Sequence, residues 1–366
     1  IVDPHGDLSM DLLARVPHNR MEDLVYVSFS EPGLVPKWNP FLTQAPSSKV
    51  ADDFARAIAS ATSYWGPRME HNFRHMAFVV HQLGGTLDDL AEMAGKTSRG
   101  EELREQAIHI VDNPAVQRFL LEDLPSYSSS DLDPVRTKLS RLLLDENLGA
   151  MFRQPENALH PRQWMDSGKL VLVNLASGII GADHTRFVGG LLVSLIHRAA
   201  LSRSTLAPDN RRPFVLYLDE CQLLQTAALE EILSEGRKFG LAAVLAHQEG
   251  GQLDKSVSSA LGNCDTAVTF RPATDDLPRV RRALSNRVTP EDLSMLGVGE
   301  AYVASGEHVG SLNTHLCSYD ILRDPLRTAR QYAREHYISV KPKAQSRHKK
   351  PSRRPRVFDT FGLQEE

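Results

Sequence analysis

Residues 214–248 read FVLYLDECQLLQTAALEEILSEGRKFGLAAVLAHQ. An apolar run over 214–218 ends in Asp219-Glu220. That pattern predicts a buried strand delivering two carboxylates to its C-terminal tip, where open α/β sheets bind ligands. A helical segment follows, closing on Glu235-Gly236-Arg237-Lys238, and a second apolar run over 241–246 ends in His247-Gln248. Two neighbouring strand tips would then carry an acidic pair and an amide, with an arginine on the connection between them. A nucleotide-hydrolysing site uses these groups. An Asp serves the Mg²⁺ shell, a Glu activates water, an amide senses phosphate and an Arg neutralises developing charge.

Outward from this stretch the chain alternates strand and helix on both sides of a block that does not. Residues 1–3 and 24–29 read as short strands, and 30–46 as a Pro-containing loop holding Trp38-Asn39-Pro40-Phe41. From 47 to 166 the apolar spacing is helical, as in Phe54, Ile58 and Ala61 or Phe73, Ala77 and Val80. Thr86 caps one helix, Asn113-Pro114 opens another, 126–130 is a serine-rich loop, and helix resumes at Pro134. No strand is expected in this block. Strands return at 169–175, 214–218, 241–246 and 266–270, with a long helix over 185–203 and a short one over 290–295. A β-hairpin joins 301–305 to 312–317 across 306–310, and an amphipathic helix spans 323–337.

The reading gives an α/β, RecA-like P-loop NTPase core, a parallel sheet flanked by helices, with an all-α inserted domain. The expected boundaries are 1–46 and 167–338 for the two parts of the core, 47–166 for the insertion, and 339–366 for a basic tail. That tail carries Lys341, Lys343, Arg347, Lys349, Lys350, Arg353, Arg354 and Arg356 with no acid among them between 341 and 356. It lacks an apolar period and is expected to be disordered, either a weak nucleic-acid contact or a solubilising linker.

Composition narrows the classes. The 366 residues are 41% hydrophobic and 24% charged, as in a soluble globular protein. No apolar run is long enough to span a bilayer, and no signal peptide is expected. Cys221, Cys264 and Cys317 are isolated and without metal-ligand spacing, which suits a reducing cytoplasm. A net charge of −4 argues against uniform coating for nucleic acid but leaves room for a local basic channel.

Each motif has a bland alternative. Asp219-Glu220 resembles a Walker B motif, and two acids also favour the start of a helix. Arg237 in Gly236-Arg237-Lys238-Phe239-Gly240 resembles the arginine-finger turn of ring ATPases, though cations near a helix C-terminus capped by Gly240 need no further role. Gln248 is a phosphate or water sensor, or simply a polar strand end. Asp3, in Asp3-Pro4-His5-Gly6-Asp7, lines the site near Mg²⁺ or caps a turn, with equal weight. Arg271 faces phosphate or DNA, or pairs with Asp275 or Asp276. No segment reads GxxxxGK[ST].

Together the motifs resemble the HerA/FtsK-like ring ATPases, most closely the type IV coupling proteins of conjugation and type IV secretion. IVDPHGD at the start, Trp65-Gly66-Pro67-Arg68 with Glu70, LVLVNLASGIIG from Leu170, the LYLDE strand, SEGRKFGLAAVLAHQ and LGNCDTAVTFR carry the likeness. The resemblance implies an ATP- and Mg²⁺-dependent homohexamer that translocates DNA without sequence preference. Relaxosome or secretion-channel proteins would be its partners, in the cytoplasm or at the cytoplasmic face of the inner membrane. It assigns Asp219 to Mg²⁺, Glu220 to water activation, Gln248 to sensing and Arg237 to a neighbouring subunit's site. The family's P-loop lies upstream of the strand ending in IVDPHGD, so the chain reads as a fragment beginning after it. Two alternatives are a non-catalytic ring scaffold that binds DNA or secretion substrates and an ATPase that moves protein.

Overall fold

The computed structural model describes residues 1–29, 35–62, 64–95, 97–315 and 327. Five parallel strands form the main sheet: β1 (Val2–Asp3), β2 (Leu24–Ser28), β3 (Leu170–Asn174), β4 (Phe214–Leu218) and β5 (Leu241–Leu245). Their order is β2-β3-β1-β4-β5. From β1 the chain runs to one side of the sheet through β2 and β3, and then crosses to β4 and β5 on the other. The crevice between the C-terminal ends of β1 and β4 is therefore the topological switch point, where such sheets seat ligands. Asp3 ends β1, and Asp219 follows β4.

Burial differs across the sheet. Every residue of β2 is buried. Helix Ala182–Ser202, rich in buried Leu, Val and Phe, covers part of the core. On β4 and β5 one face is bare: Val215, Tyr217 and Val244 are 42–46% exposed, and the register pairs Val215 with Ala242 and Tyr217 with Val244. A near-continuous apolar strand predicts burial on both faces. Here only the face carrying Leu216 and Leu218 is covered.

Between 47 and 166 every element among the described residues is helical. Helices Ser47–Ser60 and Pro67–Gln82 pack together, and the first also packs on Ala182–Ser202. Phe54 bridges these layers, meeting Phe187 edge-on at 5.7 Å and Phe41 at 4.9 Å. The helical block thus shares one continuous core with the sheet. The 35–46 loop contributes to that core, because Trp38 and Phe41 are each 1% exposed and Asn39 Nδ2 donates to Gly85 O at 2.9 Å. Thr86 and Asp89 form a capping box, and Asn113 caps Pro114–Arg118. The helix expected from Pro134 starts earlier, at Ser129, because Ser128 and Asp131 form a capping box inside the serine-rich stretch.

Two expectations for the C-terminal half are corrected. Strand β6 (Thr266–Thr269) does not join the parallel sheet. It pairs antiparallel with β7 (Glu300–Ser305), which pairs with β8 (His308–Asn313). Period-two patterning fixes which side chains share a face but not which sheet accepts the strand. The hairpin is also tighter than expected: Ser305 faces His308 across a Gly306-Glu307 turn, with Gly306 at φ +56°. A smaller core of Leu284, Val288, Leu293, Leu296 and Ala304 lies under this sheet. The helix expected over 323–337 and the basic tail lie outside the described residues, apart from Arg327. Among the described residues no helix is long and apolar enough to cross a membrane.

Candidate functional site

The site is built from the turns that follow β1, β4 and β5. Asp219 N donates to Val2 O at 3.1 Å, and Ala246 N to Leu218 O at 2.9 Å, so the three tips are laced together. Glu220 adopts a left-handed backbone, φ 44° and ψ 48°. That conformation is rare for a residue with a Cβ and is held by its surroundings. Here Cys221 N is fastened to Ala246 O at 2.9 Å, which fixes the turn immediately beyond Glu220.

The Glu220 carboxylate meets two side-chain amides. Gln248 Nε2 donates to Oε1 at 2.5 Å, joining the β4 and β5 tips, and Gln222 Nε2 donates to Oε2. The structure therefore brings Glu220 and Gln248 together. Gln222 was not singled out in the sequence, where it is one polar residue in a polar turn. The available signal was an amide two positions after the acid.

Asp219 stands among acids. Burial, followed by the Glu220 and Asp3 carboxylates, raises its carboxyl above the usual range, against lowering by the Glu220 backbone and by His5. A cation beside it would relieve that cost. No three His, Cys, Asp or Glu side chains among the described residues converge to hold a metal unaided. This donor set fits Mg²⁺, which keeps several waters and binds through one or two carboxylates plus substrate phosphates. Asp219 is the carboxylate here that could hold its shell.

Asp3 is fully buried, and its bonds are those of a capped turn. Oδ1 accepts from His5 N at 2.9 Å and Gly6 N at 2.8 Å, and Oδ2 from Ser9 N at 2.7 Å. Its charge acts on Asp219 from that position. Gly6 is required here: φ is +99°, and a Cβ would lie 2.5 Å from the Asn174 amide oxygen. His5 Nδ1 lies 3.1 Å from Ser177 Oγ. Burial, with Glu220 and Asp219 beside it, pushes the Cys221 thiol up to about 12, so it is no nucleophile near neutral pH.

Arg237 lies at the other end of the sheet. It sits in the 3₁₀ turn Gly236–Phe239 leading into β5; its carbonyl accepts from Gly240 N at 3.1 Å, while its exposed side chain makes no hydrogen bond or ion pair with a described residue. The turn around it is pinned. Gly240 closes it at φ +71°. The fully buried Arg203 donates Nη1 to Phe239 O at 3.0 Å and Nη2 to Arg212 O, while its Nε pairs with Asp166 at 3.1 Å. Arg211 Nη1 donates to Lys238 O. With about 3.3 Å per strand residue, β5 alone separates Arg237 from the Gln248 tip by roughly 15–20 Å. Arg271 is exposed and makes no ion pair with Asp275 or Asp276; Asp276 instead accepts from Gly250 N at 2.9 Å.

Known proteins share the fold that carries these residues. Residues 156–304 match the type IV secretion-system coupling protein DNA-binding domain. The fold is similar to the bacterial conjugative coupling protein TrwB in unbound form, with a TM-score of 0.63, 17% identity, and coverage of 89% of this chain and 80% of that one. TrwB in complex with ADP and Mg²⁺ matches equally, with a TM-score of 0.63 and 16% identity over the same shares. VirB4 of Thermoanaerobacter pseudethanolicus is more distant, with a TM-score of 0.52, 14% identity, and coverage of 82% and 79%. No curated protein matches the sequence. Over residues 156–304 in sequence, and over most of its length in fold, this chain is type IV coupling-protein-like, with the architecture of a P-loop NTPase.

Proposed function

We propose that this chain acts in an ATP-driven, DNA-translocating motor of coupling-protein type. The observation that carries the reading is the Gln248 amide seated on the Glu220 carboxylate across adjacent strand tips, beside the half-buried Asp219. Asp219 holds the Mg²⁺ shell. Glu220 accepts the proton of the attacking water, for which a carboxylate within hydrogen-bond reach suffices. Gln248 is placed to exchange its bond to Glu220 for one to the terminal phosphate, reporting the nucleotide to the base. Mg²⁺, when bound, neutralises phosphate charge and orients the phosphates.

The phosphate cradle itself is a GxxxxGK[ST] loop that the 366 residues do not contain. The free edge of β5, with its bare apolar face, is suited to receive the strand that leads into such a loop. Arg237 acts on a neighbouring subunit, because the length of the sheet keeps it from its own Glu220. DNA is the proposed cargo, supported by the matched DNA-binding domain. A homohexamer, the basic residues between Lys341 and Arg356 as nucleic-acid contacts, and relaxosome or secretion-channel partners belong to the same proposal.

Glu220→Gln tests the reading. In protein carrying the phosphate loop, nucleotide binding should persist and turnover should fall at least 100-fold. Normal turnover in that variant removes Glu220 from the role of base.

A further inference from the structure

We propose that Gln222 is the positioning residue for Glu220, an assignment that rests on the reading of Glu220 as the base. Two amides hold the same carboxylate, but they are held very differently themselves. Gln248 is exposed at a strand tip and makes one side-chain bond, to Glu220 Oε1. Gln222 is half-buried in the turn Cys221–Leu223. Its main-chain carbonyl accepts from Gln225 Nε2 at 3.0 Å, and that same nitrogen donates to Gln252 O at 3.1 Å. Gln225 Oε1 then accepts from Asp254 N at 2.5 Å. The turn bearing Gln222 is thus stapled to the 252–254 loop beyond β5, whereas the Gln248 side chain has no such brace.

This asymmetry assigns the roles. A carboxylate that is to take a proton from water needs one oxygen free and the other fixed, so that the free lone pair points one way. Turning the Gln248 amide toward a phosphate frees Oε1. The Gln222 amide remains on Oε2 and prevents the Glu220 side chain from swinging with it. Gln222 cannot be read in the reverse amide orientation, because that would set its oxygen against the carboxylate. Its Oε1 is buried with no donor among the described residues.

Two measurements test the assignment. The first needs no turnover. In the 366-residue chain, the side-chain NH₂ resonance of Gln222 should lie at the shifted position of an amide bonded to a carboxylate, and move to the free-amide position in Glu220→Ala, which removes the acceptor. An unmoved resonance overturns the proposal. The second uses the full protein with MgATP and DNA. Gln222→Leu should lower kcat about 10-fold with KM within twofold, and Gln222→His, which restores an N–H donor, should recover most of the loss. A structural role alone would instead move KM, stability and kcat together, without rescue by His. If Glu220→Gln abolishes turnover while Gln222→Leu leaves kcat unchanged, the base survives and the positioning role fails. If Glu220→Gln turns over normally, the reading beneath both has failed.

Discussion

Replacing Arg203 by Met should destabilise the fold by about 3 kcal/mol, and the sum behind that figure can be worked group by group. Arg203 is completely buried and stands where helix Ala182–Ser202 gives way to the turn before β4. Its guanidinium bonds Phe239 O and Arg212 O and pairs with Asp166. Gly240 O, 3.4 Å away, loses little, because Phe214 N already donates to it at 2.9 Å. Two part-buried carbonyls would therefore be orphaned, each costing roughly 1–3 kcal/mol. Asp166 is 36% exposed and keeps its partner Arg162, so the lost ion pair adds under about 1 kcal/mol. Against this, Met fills similar volume and removes the cost of burying a charge, which recovers a few kcal/mol in favourable cases. The orphaned carbonyls win because no other described donor reaches them. Urea unfolding followed by circular dichroism measures the change, and Arg203→Lys should lose nearly as much, since one ammonium cannot span both carbonyls. Hydrogen exchange should rise at residues 238–241, the turn that bears Arg237. A Met variant within about 0.5 kcal/mol of the parent would refute the reasoning and mark Arg203 as a costly buried charge.

Further outcomes follow from other parts of the molecule. In a polypeptide that starts with the free amine of Ile1, that amine donates to Val171 O at 2.8 Å, and burial lowers it from 8.0 to about 5. The folded state then binds its proton only below about 5, while the unfolded chain binds it below about 8. Stability is full above pH 8 and falls toward pH 5, by up to about 4 kcal/mol; extending the chain by one residue before Ile1 should flatten that slope in urea titrations. Val244→Lys, on the bare face beside the open edge of β5, should reduce self-association in analytical ultracentrifugation without loss of helical signal; unchanged association would show that this face does not drive it. Arg237→Ala subunits mixed with Glu220→Gln subunits should regain activity in mixed rings, because an intact site forms at one kind of boundary. No recovery, with mixing verified, would place the arginine in its own subunit's site.

The parts of the fold that were legible in the sequence are those where one signal sufficed. A five-residue apolar run ending in charge marks β4 and β5 whatever packs on them, and Phe54, Ile58 and Phe73 show their helical period directly. The sheet to which β6 belongs was hidden, because pairing partners are a long-range property. Arg203 was equally hidden: in Ser202-Arg203-Ser204-Thr205 it looks like a solvated helix end. Its burial depends on carbonyls 9 and 36 positions away that only tertiary structure assembles. The Gln222 and Gln225 pair shows the same limit at short range. A polar turn after an acid is what any exposed loop looks like, and the information lay in which atoms were left without partners.

The two halves of the candidate site make opposite demands on the backbone, and the sheet reconciles them. The chemistry at Glu220 needs precision, and it is supplied by a left-handed residue fixed between ladder bonds and two amides at the C-terminal edge. On the proposed roles the Arg237 turn needs reach without collapse, and the buried Arg203 and the partly exposed Arg211 supply that by bonding its carbonyls while the Arg237 side chain lies in solvent. Because β4 and β5 are in register and parallel, the two ends are held at a fixed distance by the strands themselves. On the proposed roles, a subunit built this way cannot complete its own charge neutralisation from Arg237. Apposing the Arg237 edge of one copy to the Glu220 edge of another would complete it. That contact joins two different surfaces, so it repeats head to tail and closes into a ring or runs on as a helix, whereas a two-fold dimer would pair like edges and leave both sites incomplete.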